Sequence, residues 1–229
     1  MSVLALGPVA ALALSFAAFV VSGGLGWPAY RASGDLPLRE TGWLALGSLI
    51  GAILGVLVGL ALPAQVLTVV LYLVVLASGT TVLVRMRPSR KMTPERAVRD
   101  SASTSQRSVA VYVAVGFATA VICAATGAGG PVLVVPILML LGFSARSAVG
   151  MALLDSVAIA VPSAIGYFAG GAIDASVWAL LPFALVGHAA GTVAGSMNAH
   201  RINATVLKAI VAVGSVGVAL FKLAGLLLG

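Results

Sequence analysis

From Val109 to Phe143 the chain carries no charged residue, yet the centre of that stretch reads TGAGGP, Thr126 to Pro131. Glycine and proline are the two strongest helix breakers, and here they interrupt a run long enough to cross a bilayer. A helix broken inside hydrocarbon leaves backbone donors and acceptors unpaired, at a cost of roughly several kcal/mol each. Protein, water or a solute must satisfy those groups. At ~1.5 Å rise per residue, 109–125 reaches about 25 Å and 131–143 about 20 Å. Both pieces are therefore expected to fall short of a full crossing and to form a discontinuous pair.

The rest of the chain is equally apolar. Of its 229 residues 61% are hydrophobic and 8% charged, with a mean hydropathy of +1.15. No water-soluble domain hides that much apolar surface, so lipid is the expected solvent. Segments 3–26, 43–62, 64–84, 147–169, 176–197 and 203–227 each approach the ~20 apolar residues that a bilayer core requires. The expectation is an all-α polytopic membrane protein of the cell inner (plasma) membrane, with six full spans and one broken pair. No Lys or Arg precedes the first apolar run, so it reads as a spanning helix and not as a signal peptide.

The formal charge of +7 does not point to nucleic acid, because seven of the thirteen Lys and Arg lie between Arg85 and Arg107. That run predicts a cytoplasmic linker, 85–108, under the positive-inside rule. Cys123 is the only cysteine, which excludes an internal disulfide. No group of His, Cys, Asp and Glu has metal-ligand spacing, so neither a metal nor a cofactor is expected.

An internal repeat divides the chain. GAILGVLVG holds Gly51, Gly55 and Gly59, and GHAAGTVAG holds Gly187, Gly191 and Gly195, each 136 residues later (187 − 51). YRASGD at Tyr30–Asp35 answers YFAGGA at Tyr167–Ala172, and AQVL at Ala64 answers ATVL at Ala204. The expected domains are a first repeat, 1–84, the linker, and a second repeat, 109–229, that starts with the broken segment. Glycines four apart open a groove for a neighbouring helix, so the triplets read as packing. Charge sets the topology. If 109–143 enters and returns as a hairpin, Arg146, Arg201 and Lys208 share the linker's side and Lys222 alone opposes them; a single crossing reverses that count. The hairpin is favoured, and it makes the repeats inverted.

Pro131 suits the first turn of a helix, where its missing N–H costs nothing. The N–H groups of Gly127, Ala128, Gly129 and Gly130, with those of Val132 and Leu133, are then free to converge. The helix dipole adds about half a positive charge at the same end. This predicts an anion site with no basic side chain, made by Thr126, Gly127, Ala128, Gly129, Gly130 and Pro131. A kink that merely lets helices pack is the plainer reading of the same residues. Asp155, the one acidic residue deep inside a predicted span, joins the candidates. A carboxylate at the bilayer centre costs ~3 kcal/mol or more, so Asp155 is expected to be protonated, solvated or paired. It reads either as the carrier of a coupled proton or as an acid bonded to a backbone carbonyl. His188 reads as an interhelical residue. Its His-x-x-Gly-x-x-x-Gly pattern occurs in rhomboid proteases, but no Gly-x-Ser-Gly nucleophile loop accompanies it. Trp27, Trp43, Trp178, Tyr30 and Tyr167 fall at predicted helix ends, where aromatic belts form.

GAGGPVLVVP, followed by AVGMALLDSVAIAVPSAIGYFAGGAID, resembles the sulfite exporter TauE/SafE family, a duplicated group of membrane transporters. That family's Gly-x-Gly-Gly-Gly-x-x-x-x-Pro segment maps onto Gly127, Gly129, Gly130 and Pro136, with Pro131 at the third glycine. Its Gly-Tyr…Gly-x-x-Asp turn maps onto Gly166, Tyr167, Gly171 and Asp174. Met151 and Ala152 replace a Thr-Ser pair, and the first repeat has no copy of the glycine segment. The resemblance implies secondary transport of sulfite, a sulfonate or a related sulfur oxyanion, without enzymatic chemistry. The halves would rock about a site near the midplane. A non-transporting scaffold or subunit of the same fold is the alternative. The partners implied are a small-molecule anion and membrane lipid, and an oligomer is compatible with the sequence.

Overall fold

The computed structural model describes residues 7–86, 108–170 and 175–198, with six further positions from Val213 to Ala224. Linker residues 87–107, most of segment 203–227, the turn positions Gly171 and Asp174, and Arg201, Lys208 and Lys222 lie outside the described residues. Within them every regular element is a helix: α1 Pro8–Ala32, α2 Leu38–Ala61, α3 Ala64–Met86, α4 Val109–Thr126, α5 Gly130–Leu140, α6 Ala145–Gly170 and α7 Ala175–Asn198. Among the described residues five helices are long and apolar enough to cross a membrane: α1, α2, α4, and the greater part of α6 and of α7.

Local sequence explains the ends. Pro8 and Pro131 sit in the first turns of α1 and α5, where proline is best tolerated. Gly34, which follows α1, and Gly127, which ends α4, both take φ 76°, the left-handed conformation that closes a helix and excludes most side chains. The pair of short pieces expected from 109–143 needs correction. The break is real, but α4 runs through Thr126 for 18 residues and reaches span length by itself. Only α5, with 11 residues, is half-length. Likewise α1 continues past Trp27, through Pro28, to Ala32.

Glycine sets the packing. Along α2, a methyl on Gly47, Gly51 or Gly55 would run into the carbonyl of Val113, Phe117 or Val121 respectively, and one on Gly59 would run into the Tyr167 hydroxyl and stand 3.1 Å from the Ala125 carbonyl oxygen. Both series advance by four in the same direction, so α2 and α4 lie parallel with their backbones in contact. α1 and α6 form a second close pair, antiparallel. A methyl on Gly23 would stand 2.8 Å from the Leu153 carbonyl oxygen, Gly150 faces Tyr30, and Phe16 stacks on Tyr167 at 5.8 Å. Where the two pairs meet, side chains intervene: Val56 of α2 lies against Gly166 and Leu60 against Gly170.

α5 starts opposite Ser156, near the middle of α6, and its Val134 and Leu138 join Ala148, Met151 and Ala152 in one apolar cluster. The α4–break–α5 unit is therefore a hairpin. After it, Phe143 returns to the level of Tyr112 (ring centroids 6.1 Å apart), and Arg146 Nε pairs with Asp35 Oδ2 of the α1–α2 loop at 3.2 Å. That ion pair is exposed, with Arg146 74% accessible, so screening leaves it little strength. Asp35→Asn should change stability by less than about 1 kcal/mol in a thermal melt.

α7 lies parallel to α1 on the outside, through Val177 against Ala10 and Leu14 and through His188 against Phe19. Unlike the α2 glycines, Gly187 and Gly191 of α7 have nothing among the described residues within 4 Å of an added methyl. α3 is loosely held, with Leu71 and Val74 only partly buried against the core.

Candidate functional site

The break is lined by α1 and α6, while Gly127 and Gly129 stay partly accessible. Gly127 lies under Leu12, a methyl on Gly129 would reach the Phe19 ring at 3.2 Å, and Gly130 abuts Ser156 and Ile159. Ala128 is 5% exposed. α1 and α6, the close antiparallel pair, thus form the wall against which the turn sits. Gly127 needs its glycine for φ; Gly129 does not, since φ −58° and ψ 139° suit any residue.

The backbone accounting at the break is nearly local. Gly127 N–H donates to the Cys123 carbonyl at 2.8 Å, Ala128 N–H to Thr126 Oγ1 at 3.4 Å, and Val132 N–H to the Gly129 carbonyl at 3.0 Å. Thr126 Oγ1 itself donates to the Ile122 carbonyl at 2.7 Å. The Ala124 carbonyl, one of those left over at the end of α4, accepts from Tyr167 Oη at 2.8 Å. Of the amides that the sequence directs at a solute, Gly127, Ala128 and Val132 are therefore engaged inside the turn. Gly129, Gly130 and Leu133 are left to face one. Pro131 has no N–H and contributes only the start of α5.

Asp155 sits near the middle of α6, fully buried, and both its carboxyl oxygens lack a hydrogen-bond partner. Of its two readings, the acid bonded to a backbone carbonyl has no such bond among the described residues. Ser48 of α2 lies beside the carboxyl, but the two do not reach hydrogen-bond geometry, and Ser48 Oγ is equally buried and unpartnered. Cys123 of α4, also fully buried, comes within electrostatic reach of the same carboxyl. The next residue, Ser156, packs on Gly130, so the turn and the acid occupy neighbouring stations on α6.

Two functional candidates escape a reading of the sequence alone. Tyr167 is expected in an interfacial belt, yet it is fully buried and caps α4, because its ring stacks on Phe16 and its hydroxyl donates to the Ala124 carbonyl. Ser48 carries no signal, because a serine beside a glycine ridge usually serves packing. His188 is met edge-on by Phe19 at 5.7 Å, which puts it one side chain away from Gly129. Among the described residues no group of His, Cys, Asp and Glu could hold a metal ion.

Comparison with curated proteins and with solved structures gives no match. Residues 1–221 match the family described as Sulfite exporter TauE/SafE. That match spans nearly the whole chain and both the glycine ridge and the broken hairpin, and it establishes that the protein belongs to the sulfite exporter TauE/SafE family.

Proposed function

We propose that the protein is a secondary transporter for a small anion, of the sulfite, sulfonate or related sulfur-oxyanion class, in the cell inner membrane. The observation that carries this reading is the position of the α5 N-terminus: it opens inside the bundle, opposite Ser156, instead of at either end. There the Gly129 and Gly130 amides and the dipole of α5 offer partial positive charge to an anion in a dry setting. Asp155 is the group available to carry a coupled proton. Thr126 and Ala128 hold the turn together, and Gly127 gives it its shape.

Sidedness follows from the shared end of the bundle. The last turn of α1 with Arg31, the start of α2 with Arg39, and the start of α6 with Arg146 lie together, and the basic linker follows α3 in the sequence after Met86. All of it belongs in the cytoplasm under the positive-inside rule. The parallel contacts of α1 with α7 and of α2 with α6 support inverted repeats in which α1 corresponds to α6 and α2 to α7.

Reconstitution in liposomes under an imposed pH gradient tests the reading. Sulfite or sulfonate should move faster than in protein-free vesicles. Gly129→Val should fold, since its backbone angles admit valine and the partly buried Phe19 ring that it meets need shift only by tenths of an ångström, yet cut flux roughly tenfold by covering the amides with a side chain, the loss of about 1.4 kcal/mol of differential binding. Full flux in the variant removes the glycine seat. No flux in either protein leaves the scaffold reading in its place.

A further inference from the structure

The helices α2 and α4 meet backbone to backbone along their length and α1 and α6 do so at Gly23, whereas α2 meets α6 through the side chains of Val56 and Leu60. Ser48 and Asp155 face each other across that second kind of contact, from α2 and α6. Ser48 Oγ and the two Asp155 oxygens are the buried side-chain polar atoms without a partner among the described residues. Both residues are 0% exposed. A charged carboxylate does not persist unpaired in so dry a seam. A carboxylic acid does, once its hydrogen finds an acceptor, and Ser48 Oγ is the acceptor beside it.

We propose that Asp155 and Ser48 form a proton-operated latch between α2 and α6. With the proton in place, the acid donates to Ser48 Oγ and the seam stays shut. When the proton leaves to water, the carboxylate must hydrate, and the seam opens to admit that water. The moving bodies are then the close pairs α1–α6 and α2–α4, each of which mixes the two sequence halves. This rests on the transport reading only for its purpose, not for its mechanics.

The surroundings leave Asp155 alone to respond. From α4 the titratable group facing it is Cys123. α5 carries none. On α2, Arg39 and Glu40 lie in the first turn, more than two turns from Ser48. On α1, Tyr30 and Arg31 lie at the C-terminal end, where Tyr30 covers Gly150 and Arg31 lies over Trp27. On α6 itself, Tyr167 is committed to the Ala124 carbonyl and Arg146 to Asp35. The nearby hydroxyls of Ser156 and Thr119 already donate to the carbonyls of Ala152 and Val115.

Cys123, the only cysteine of the chain, lies in the seam and reports on it. The full-length protein in lipid nanodiscs is treated with N-ethylmaleimide between about pH 5 and pH 8, and each rate is divided by that of the detergent-denatured protein at the same pH, which removes the ionisation of the thiol itself. The normalised rate should rise about tenfold towards alkaline pH as the open state becomes populated. Asp155→Asn, an isostere of the acid, should stay protected at every pH. Ser48→Ala, which removes the acceptor, should be labelled already at acidic pH, and Ser48→Thr should restore protection. A wild-type rate indifferent to pH overturns the latch. So does an Asp155→Asn rate that tracks wild type, a Ser48→Ala rate equal to wild type, or protection that follows sodium in place of pH. No anion is needed for the assay. Flux without pH-dependent labelling therefore sinks the latch and spares the transport reading, and labelling without flux does the reverse.

Discussion

Gly51→Leu should fail to give a folded protein in detergent, while Gly187→Leu at the matching position of the second repeat should melt like the parent. The two glycines sit in the same sequence pattern, 136 residues apart (187 − 51), so composition and propensity predict equal effects. Contacts predict the opposite. A methyl on Gly51 would collide with the Phe117 carbonyl oxygen and stand 2.9 Å from the Phe117 Cα. Backbone cannot rotate away as a side chain can, and the collision lies in the middle of a helix pair that touches along its length. Overpacking in a core costs about 1–3 kcal/mol when side chains can yield; here the cost should exceed that range. Gly187 meets no described residue within 4 Å of an added methyl. Gly187→Ala should even gain a few tenths of a kcal/mol, up to ~1, from helix propensity. Size-exclusion profiles and thermal melts of the variants decide the matter, and equal behaviour of the two leucine variants would refute the parallel α2–α4 packing.

The second large effect concerns Tyr167. Its hydroxyl caps the Ala124 carbonyl at 2.8 Å and its ring stacks on Phe16 at 5.8 Å. Tyr167→Ala removes both and leaves a cavity where a fully buried aromatic stood, which costs about 3–5 kcal/mol in protein cores. Tyr167→Phe keeps the stack and strands one buried acceptor, worth about 1–3 kcal/mol. Melts of the two variants should therefore fall in that order, with phenylalanine between alanine and the parent. If Tyr167→Phe matches the parent, the carbonyl finds water or another donor, and the end of α4 is wetter than its burial suggests.

These two residues mark where the sequence is and is not legible. Apolar length announces the helices, because a spanning helix must satisfy its own backbone and show lipid its side chains. TGAGGP announces the break, because no alternative places three glycines and a proline inside an apolar run. The end of α4 is legible almost to the residue, since the first of those glycines, Gly127, takes the left-handed φ that stops the helix one residue beyond the expected 125. The glycine repeat is visible as a pattern, but its two copies do different work: the first meets the α4 backbone, while Gly187 and Gly191 of the second meet no described residue. Sequence cannot separate them, as the difference lies in what stands opposite. Asp155 is conspicuous for its charge. Ser48, its neighbour in space, has 106 residues between it and that acid and nothing in its own surroundings to single it out.

The parallel course of α2 and α4 also explains an otherwise idle-looking helix. Two neighbours that run the same way cannot be joined by a short turn, because the chain leaves the first at the far face and must enter the second from the near one. α3 is that homeward leg. Its weak grip on the core makes its surface freely replaceable, but its presence is compulsory. Cutting it out would reverse the heading of every later segment, and the hairpin would then come at α2 from the wrong direction.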